Sequence, residues 1–442
     1  MRFDLPGASR QCFGDMSTPA KKVNLRTPEV MKLVQAEVEN HYRSPIVEFL
    51  RHTGSPLSAG GITVQLAKAF GFCYGVERAI DLAYAAAKVC QGRDIYLLGE
   101  IIHNPEVNDQ LAAMGIKQLH EVDGQYQVDH LDSDDVVIIP AFGAEVGTTK
   151  RIKEIGCQVV DTTCGDVMSV WKRIVQYKKE QVTSIIHGKA WHEETKATAS
   201  RAIGDGKEPS GQYLVVYNLA ETDYVCNYIR KGGSKEEFLK KFEGAHSPGF
   251  DPDLHLRAVG VANQTTMMRG ETEEVQNRIR QAIADRYGEA ALNQHFRFFD
   301  TICGATQERQ DALRQMLDHD KPDILIVVGG YNSSNTSHLA EMGEAELPTY
   351  FIKKSEMLIS PTQIRHWDLH KGEEILTEKA WLPEGKVNVG ITAGASCPNN
   401  LIEETIKRLF EFRGVEVETL LPKGFQEVLT NPPSAATAVP AH

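Results

Sequence analysis

Two hydrophobic patterns alternate along the chain from Ile62 onward. Between the strands predicted below, apolar residues recur three or four positions apart, as at Val167, Val170 and Ile174, which predicts helices with one buried face. Strands that alternate with helices are typical of parallel sheets, which carry functional residues in the loops at the carboxyl ends of their strands. Short apolar runs predict these strands at 95–98, 136–139, 159–161, 184–187, 213–217, 296–299, 324–328, 349–352 and 387–391.

A cysteine placed just before an amphipathic helix occurs three times. It is Cys73 in GFCYGV, Cys164 in DTTCG and Cys303 in DTICG, and the last two pentapeptides are almost the same. A helix N-terminus presents free N–H groups and the positive end of the helix dipole, so it favours the thiolate form that binds metals. Three equivalent thiolates predict one shared metal centre with a coordination position left open for chemistry.

The repeat also predicts how the chain divides into domains. We expect three small parallel-sheet α/β domains, each carrying one of the cysteines, that close around a pseudo-threefold axis. An N-terminal extension with one helical pattern (28–50) precedes them, and a closing helix (400–412) and tail follow them. The predicted boundaries are 1–61 for the extension, 62–163, 164–300 and 301–395 for the domains, 231–257 for a charged surface insertion in the second domain, and 396–442 for the closing segment.

Composition excludes several classes of protein. The 442 residues include 48 basic and 60 acidic ones, and the net charge of −12 argues against binding to nucleic acid or to an anionic membrane surface. The longest apolar runs have the length of strands, so no membrane span is expected, and the lack of an apolar signal segment predicts a cytoplasmic protein. Eight cysteines without a CxxC pair argue against a disulfide scaffold and against zinc ribbons. Any metal site must therefore combine distant segments.

Three cysteine ligands admit more than one kind of centre. The possibilities are zinc, a mononuclear iron, and a [4Fe–4S] cluster with one iron not bound by cysteine. Zinc would need a fourth ligand, such as a nearby histidine. The alternative is that the cysteines are buried packing residues at helix starts. The repetition of DTTCG as DTICG favours the metal centre.

Two histidine-containing loops follow predicted strands. His192 and Glu194 lie two positions apart after the strand at 184–187, so both can face one site. A carboxylic acid there can protonate a leaving hydroxyl group beside a metal, although a solvated His-Glu-Glu turn is the alternative. His103 follows the strand at 95–98 and is by itself more typical of a structural residue.

Two polar loops are typical of phosphate binding. GGYNSSNTS (329–337) follows a buried strand and opens a helix, and AGAS (393–396) repeats this arrangement. Glycines let the backbone approach an anion, and hydroxyl, amide and helix N–H groups can bind its oxygens. One such loop is weak evidence, because small polar loops cap many helices. Two of them, together with a metal candidate, predict a diphosphate site.

Taken together, these segments closely resemble the 4-hydroxy-3-methylbut-2-enyl diphosphate reductase family, which catalyses the last step of the methylerythritol phosphate route to isoprenoids. The similarity covers about 62–412 and rests on GFCYGVERAI, HN, DTTC, HEE, QTT, GGYNSSN and TAGAS, in that order. It implies a trefoil of three α/β domains around one [4Fe–4S] cluster per chain, held by Cys73, Cys164 and Cys303. It also implies Glu194 as the proton donor and, as substrate contacts, His103, His192, Thr265, Ser333, Ser334, Asn335 and Ser396.

The resemblance further implies a reductive dehydroxylation that yields isopentenyl and dimethylallyl diphosphate. Two electrons would arrive singly through the cluster, whose open iron binds the substrate hydroxyl. A separate ferredoxin or flavodoxin is the expected donor, because the chain lacks a GxGxxG fingerprint for a flavin or nicotinamide. The other expected partner is the small allylic diphosphate, with no nucleic acid and no membrane. A monomer or a homodimer is expected.

One position departs from the family pattern. Many bacterial members have Ser-Ala-His-Gly where this chain has Pro-Ala-Phe-Gly, so no diphosphate contact is assigned to Phe142, and Lys189 is a candidate to replace the lost positive charge. The substitution, the longer N-terminus and the insertion are similar to the branch found in plastids and cyanobacteria. Two rival functions remain. One is a non-redox phosphosugar enzyme with inert cysteines, and the other is a cluster-bearing sensor that binds a ligand without turnover.

Overall fold

The computed structural model describes residues 25, 27–206, 210–299 and 301–422, so the predicted tail lies largely outside the described residues. The helices are α1 (Pro28–Tyr42), α2 (Pro45–Thr53), α3 (Tyr74–Val89), α4 (Pro105–Ala113), α5 (Val146–Ile155), α6 (Gly165–Lys179), α7 (Glu193–Ile203), α8 (Leu219–Lys231), α9 (Lys235–Lys241), α10 (Pro252–His255), α11 (Arg269–Tyr287), α12 (Leu292–His295), α13 (Gly304–Gln315), α14 (Ser334–Glu344) and α15 (Asn399–Glu411). The strands are β1 (Leu57–Ala59), β2 (Ile62–Leu66), β3 (Ile95–Leu98), β4 (Lys117–Leu119), β5 (Glu121–Val122), β6 (Gln125–Tyr126), β7 (Val136–Ile139), β8 (Gln158–Asp161), β9 (Thr183–His187), β10 (Tyr213–Val216), β11 (Val259–Asn263), β12 (Phe296–Phe298), β13 (Ile324–Val328), β14 (Thr349–Ile352), β15 (Leu358–Ser360), β16 (Gln363–Asp368), β17 (Glu373–Thr377) and β18 (Val387–Ala393).

Three sheets organise the molecule. The first sheet, β4-β3-β7-β8, and the second sheet, β10-β9-β11-β12, are wholly parallel. The third sheet has parallel strands β2, β18, β13 and β14 at its centre and antiparallel strands β1, β15, β16 and β17 at its edges. The predicted α/β class with parallel sheets is confirmed, whereas the antiparallel edge strands have no counterpart in the prediction.

Each cysteine lies where the chain crosses from one sheet to the next. Cys73 comes after β2 of the third sheet, but the helix after it, α3, packs its apolar face on the first sheet. Cys164 follows β8 of the first sheet, and α6 packs on the second sheet. Cys303 follows β12 of the second sheet, and α13 packs on the third sheet. This cyclic exchange gives the three units the pseudo-threefold relation expected from the repeat.

The crossing corrects one predicted boundary. The expected first domain includes β2, but β2 pairs in parallel with β18, with Val64 opposite Val389. Its apolar residues complete the core of the third sheet, where the five residues of β13 are all buried. The chain therefore leaves the third sheet after β2 and enters the first unit only at Cys73.

The N-terminal extension forms two helices where one helical pattern is predicted. The predicted helix is interrupted at Ser44, which caps a new helix. Its side chain accepts a hydrogen bond from the N–H of Val47, and Pro45 occupies the first turn of α2. Helix α1 packs on α3, and Tyr42 lies buried in this contact. Helix α2 packs on α15, which lies within one residue of the predicted closing helix.

The predicted surface insertion contributes to the core. Ser234 caps α9 as its sequence predicts, by accepting a hydrogen bond from the N–H of Glu237. The prediction of a surface position is wrong for its aromatic residues, because Phe238, Phe242 and Phe250 are buried against the second sheet. No described helix is both long and apolar enough to cross a membrane.

Candidate functional site

The three repeated cysteines meet at one cavity of about 110 Å³. Each is the residue immediately before a helix and has an extended backbone. Gly75 keeps the space between two of the thiols open, since a Cβ atom there would come within 2.6 Å of Cys164 Sγ and 3.9 Å of Cys73 Sγ. The structure therefore brings together three residues that lie far apart in sequence, as the repeat predicts.

The cavity that the three thiols share is the candidate metal centre. Among the described residues, three donor atoms also lie within 4.8 Å of one another at His103, His192 and Glu193. A [4Fe–4S] cluster held by three cysteines keeps one iron without a cysteine ligand, and this fits a cavity lined by three thiols and by polar side chains.

Burial opposes the predicted effect of the helix starts at two of the thiols. Burial is the main cause that raises the pKa of the Cys303 thiol to about 12, and a hydrogen bond with Asp166 raises it further. Burial also raises the pKa of the Cys164 thiol. Backbone N–H groups at the helix starts lower both pKa values, but by less than burial raises them. The helix starts therefore favour the thiolate form, but burial outweighs their effect at Cys164 and Cys303, where a bound cation would stabilise the charge.

Glu194 is a buried carboxyl group in the lining of the same cavity. It lies in the first turn of α7, and only 3% of it is exposed. Oε1 accepts the backbone N–H of Thr265 at 2.6 Å, and Oε2 accepts the Thr265 hydroxyl at 2.9 Å. Burial raises the pKa of Glu194 to about 7, although both hydrogen bonds from Thr265 lower it. A carboxyl group with this pKa can donate a proton near neutral pH.

His192 is held as a neutral hydrogen-bond donor. Its Nδ1 accepts the N–H of Glu194 at 3.2 Å, so the proton of the neutral ring must be on Nε2. Burial lowers the pKa of His192 well below its usual value, which keeps the ring uncharged. Nε2 is buried and has no hydrogen-bond partner among the described residues. This N–H group is therefore available to a ligand in the cavity.

His103 is oriented by two neighbours. Its Nδ1 lies 2.9 Å from Oε2 of Glu100, which favours a proton on Nδ1. The ring stacks on Phe142 with centroids 4.8 Å apart and planes 11° apart, and it meets the ring of His192 edge-on at 5.0 Å. Phe142, which departs from the expected pattern, therefore fixes the plane of the His103 ring by stacking on it. Nε2 of His103 is buried and without a hydrogen-bond partner within the described ranges.

The polar loop before α14 presents its side chains to the same cavity. Ser333 caps the helix by accepting the N–H of Thr336 at 3.4 Å, and the Ser334 hydroxyl accepts a hydrogen bond from Gln264 Nε2 at 3.1 Å. Asn335 Oδ1 accepts the N–H of Ala395 at 2.9 Å, which leaves Asn335 Nδ2 buried and unpaired in the described part of the chain. Hydroxyl groups, an amide and the start of an 11-residue helix form a site suited to an anion.

The second polar loop packs directly against the first. The Ser396 hydroxyl donates to the carbonyl oxygen of His103 at 3.3 Å. A Cβ atom at Gly330 would lie 2.2 Å from the same oxygen, so glycine is needed for this close approach. All the predicted site residues line the cavity with the cysteines; they are His103, His192, Glu194, Thr265, Ser333, Ser334, Asn335 and Ser396.

Lys189 lies outside this group. It lines a wider adjoining cavity of about 540 Å³ that shares His103, His192 and Ser334 with the first. Burial lowers the pKa of its amine. Its position favours a role in drawing an anion toward the site over direct replacement of the histidine lost at Phe142.

Four residues of the site have no clear signal in the sequence. Glu100 orients His103, Gln264 holds Ser334, Asp166 contacts Cys303, and Arg309 approaches the thiols from behind. Glu100 precedes His103 by three positions, a spacing that could have suggested their contact. The other three act across units that are distant in sequence.

Comparisons with known proteins agree with this site. A family model described as LytB protein matches residues 64–410. Relatives named 4-hydroxy-3-methylbut-2-enyl diphosphate reductase include one from Gloeobacter violaceus, 46% identical over 86% of this chain and 90% of its own length, and one from Crocosphaera subtropica, 43% identical over 87% and 93%. The solved structure of the E-1-hydroxy-2-methyl-but-2-enyl-4-diphosphate reductase from Plasmodium falciparum has the same fold, with a TM-score of 0.55 and 20% identity over 84% of this chain and 88% of that one. The chain therefore belongs to the LytB protein family.

Proposed function

We propose that this chain reduces (E)-4-hydroxy-3-methylbut-2-enyl diphosphate to isopentenyl and dimethylallyl diphosphate, in the last step of the methylerythritol phosphate pathway. The reaction breaks the allylic C–O bond, consumes two electrons and two protons, and releases water. One observation carries the proposal: three thiols, a buried acid with a raised pKa and a set of unpaired N–H donors line a single cavity. The names of the relatives support the choice of substrate.

Cys73, Cys164 and Cys303 would hold one [4Fe–4S] cluster per chain. Their convergence on one cavity and their position before three related helices suit a cluster that is ligated at three equivalent corners. When bound, such a cluster would deliver electrons one at a time and offer an iron without a cysteine ligand to the substrate hydroxyl. His192, Glu194 and Thr265 are buried, which limits the access of water to them.

Glu194 would deliver the proton that turns the leaving hydroxyl into water. A leaving hydroxide is a poor leaving group, and protonation as the C–O bond breaks lowers that barrier. Thr265 aims the carboxyl group by holding both of its oxygens. Because Glu194 lies in the cavity that the thiols line, its proton and the incoming electrons would meet at the same substrate carbon–oxygen bond.

The diphosphate would lie against donors from the second and third units. His192 Nε2–H, the Asn335 amide and the hydroxyl groups of Ser333 and Ser334 line the cavity as such donors, and Ser396 lines it beside them. Most of them are neutral, so the site binds the diphosphate mainly by directed hydrogen bonds and the start of α14. The electron donor is expected to be a separate ferredoxin or flavodoxin. A cytoplasmic location and a monomeric or homodimeric state stay predictions.

Anaerobic turnover tests the proposal. Wild-type chain reconstituted with iron and sulfide should convert the allylic diphosphate to both products when reduced viologen is the electron source. A phosphosugar enzyme would instead be active in air without iron, and a sensor would bind the diphosphate without producing either product. Either of these results would contradict the proposed function.

A further inference from the structure

Arg309 is a buried cation without a carboxylate partner. It lies in α13, six residues after Cys303, and only 4% of it is exposed. Within the described ranges no carboxylate oxygen lies within ion-pair distance of its guanidinium, and its Nε has no hydrogen-bond partner. A buried charge is costly unless an opposite charge lies close to it. The surroundings of Arg309 should therefore contain a negative group.

The contacts of Arg309 join two of the cysteine segments. One terminal nitrogen donates to the carbonyl of Ala305 at 2.7 Å, in the first turn after Cys303. The other donates to the carbonyl of Gly71 at 2.6 Å, two residues before Cys73. The planar fork of the guanidinium thus holds the loop of Cys73 against the helix start of Cys303.

Among the described residues, Cys73 and Cys303 are the groups whose negative charge would act most strongly on Arg309. Burial lowers the pKa of Arg309, and charge on Cys73 and on Cys303 are the two strongest influences that raise it again. Glu308 acts more weakly in the same direction, and Arg51, the other cation facing this loop, opposes it. Arg51 is exposed and donates to the carbonyl of Phe70 at 3.4 Å, so it contacts the same loop from the solvent side.

We propose that Arg309 is the buried counter-ion and positioning residue of the metal centre held by Cys73, Cys164 and Cys303. It compensates the negative charge of two of the thiolates and fixes the distance between their segments. The inference rests on the proposed function, because it requires a cluster at the thiols. A fixed positive charge beside a cluster favours the reduced form, which carries one more negative charge. Arg309 should therefore raise the reduction potential and slow the loss of the cluster.

Three variants of the full-length chain test the inference. Arg309→Met removes the charge and keeps an unbranched chain, and Arg309→Lys keeps the charge but cannot bridge both carbonyls. Arg314→Met is the matched control, because Arg314 lies in the same helix but faces solvent in ion pairs with Glu346 and Asp318. The readouts are the midpoint potential from an EPR-monitored titration and the rate at which a chelator removes iron under anaerobic conditions.

The expected results differ between the variants. Arg309→Met should have a more negative midpoint potential than wild type, and it should lose iron faster by on the order of 10-fold or more. Arg309→Lys should keep a potential close to wild type but lose iron faster, and Arg314→Met should match wild type in both readouts. If Arg309→Met does not fold, the iron-loss rate of Arg309→Lys tests the inference instead. A rate equal to that of wild type in Arg309→Lys would overturn the inference.

Failure of the inference can be separated from failure of the proposed function. If Arg309→Met has the midpoint potential and the iron-loss rate of wild type, the counter-ion role is overturned, but the proposal of a cluster is unaffected. A wild-type chain that takes up no iron and sulfide at all overturns the proposed function, and the counter-ion role with it.

Discussion

The two sides of the cavity differ in how well other protein groups orient and stabilise the residues that line them. On the thiol side, formed by Cys73, Cys164 and Cys303, burial raises the pKa of two of the thiols, and no sulfur caps its helix. On the anion side, protein hydrogen bonds already orient the groups that face the cavity. The anion side is formed by His103, His192, Glu194, Thr265, Ser333, Ser334, Asn335 and Ser396.

This difference indicates which step each side controls. The anion side is preorganised, because Thr265 holds Glu194, Glu100 holds His103 and Ala395 holds Asn335. The thiol side is unfavourable for charge until a metal group binds. Substitutions on the thiol side should therefore abolish loading of the cofactor, whereas those on the anion side should leave loading intact and change turnover.

The largest effect is expected for Cys164→Ser. Loss of one thiol removes one of three ligands, so cluster content and turnover should both fall to background. Iron and acid-labile sulfide, measured after anaerobic reconstitution, check this outcome. Cys157→Ser is the matched control, because Cys157 is a buried thiol that donates to the carbonyl of Asp132 and does not line the cavity. A normal cluster content in Cys164→Ser would contradict the assignment of the thiol side to cofactor loading.

Glu194→Gln should lower turnover by on the order of 10²-fold or more and keep the cluster. The amide cannot release the proton that the leaving hydroxyl needs, but it can still fill the space and bond to Thr265. Steady-state rates and the visible spectrum of the cluster are measured on the same sample. Glu236→Gln changes an exposed carboxyl group in the first turn of α9, outside the cavity lining, and should match wild type. Near-normal turnover of Glu194→Gln would remove the residue from proton delivery.

Turnover should fall as the pH rises through about 7, because the protonated form of Glu194 is the active one and its pKa is about 7. Thr265→Val removes the hydroxyl bond that lowers this pKa, so the falling limb should move to higher pH. The pH profile of the turnover number checks the shift. In the control Thr266→Val the limb should not move, since the Thr266 hydroxyl bonds to Gln264. A limb that shifts to lower pH in Thr265→Val would contradict the assignment.

The smallest effect is expected for Lys189→Ala, because Lys189 lines the adjoining cavity and not the site itself. The variant should raise KM for the diphosphate more than it lowers kcat, with a larger difference at low salt. Lys196→Ala is the control, because Lys196 is already paired with Glu121 at 3.0 Å. An unchanged KM would show that Lys189 does not guide the substrate.

Much of the fold and most of the site follow from local sequence patterns. Strands such as Ile324–Val328 have the predicted bounds because five consecutive apolar residues indicate burial on both faces. The cysteines were recognisable because DTTCG and DTICG repeat, and the phosphate-type loops because glycine and small polar residues follow buried strands. Each of these motifs is itself about ten residues long or shorter.

The remainder depends on contacts between distant segments. The sequence of β2 does not reveal that its partner is β18, more than 300 residues later, so the first domain boundary was wrong. The pKa of Cys303 depends on burial by other units, which outweighs the local effect of the helix start. The sequence does not reveal that Arg309 donates a hydrogen bond to the carbonyl of Gly71, more than 230 residues earlier.

The most direct test is the iron and acid-labile sulfide content of wild-type and Cys164→Ser chains, prepared side by side without oxygen. The account predicts about four iron and about four sulfide per wild-type chain, and almost none in the variant. A wild-type chain without sulfide, or a variant that binds as much as wild type, would contradict it.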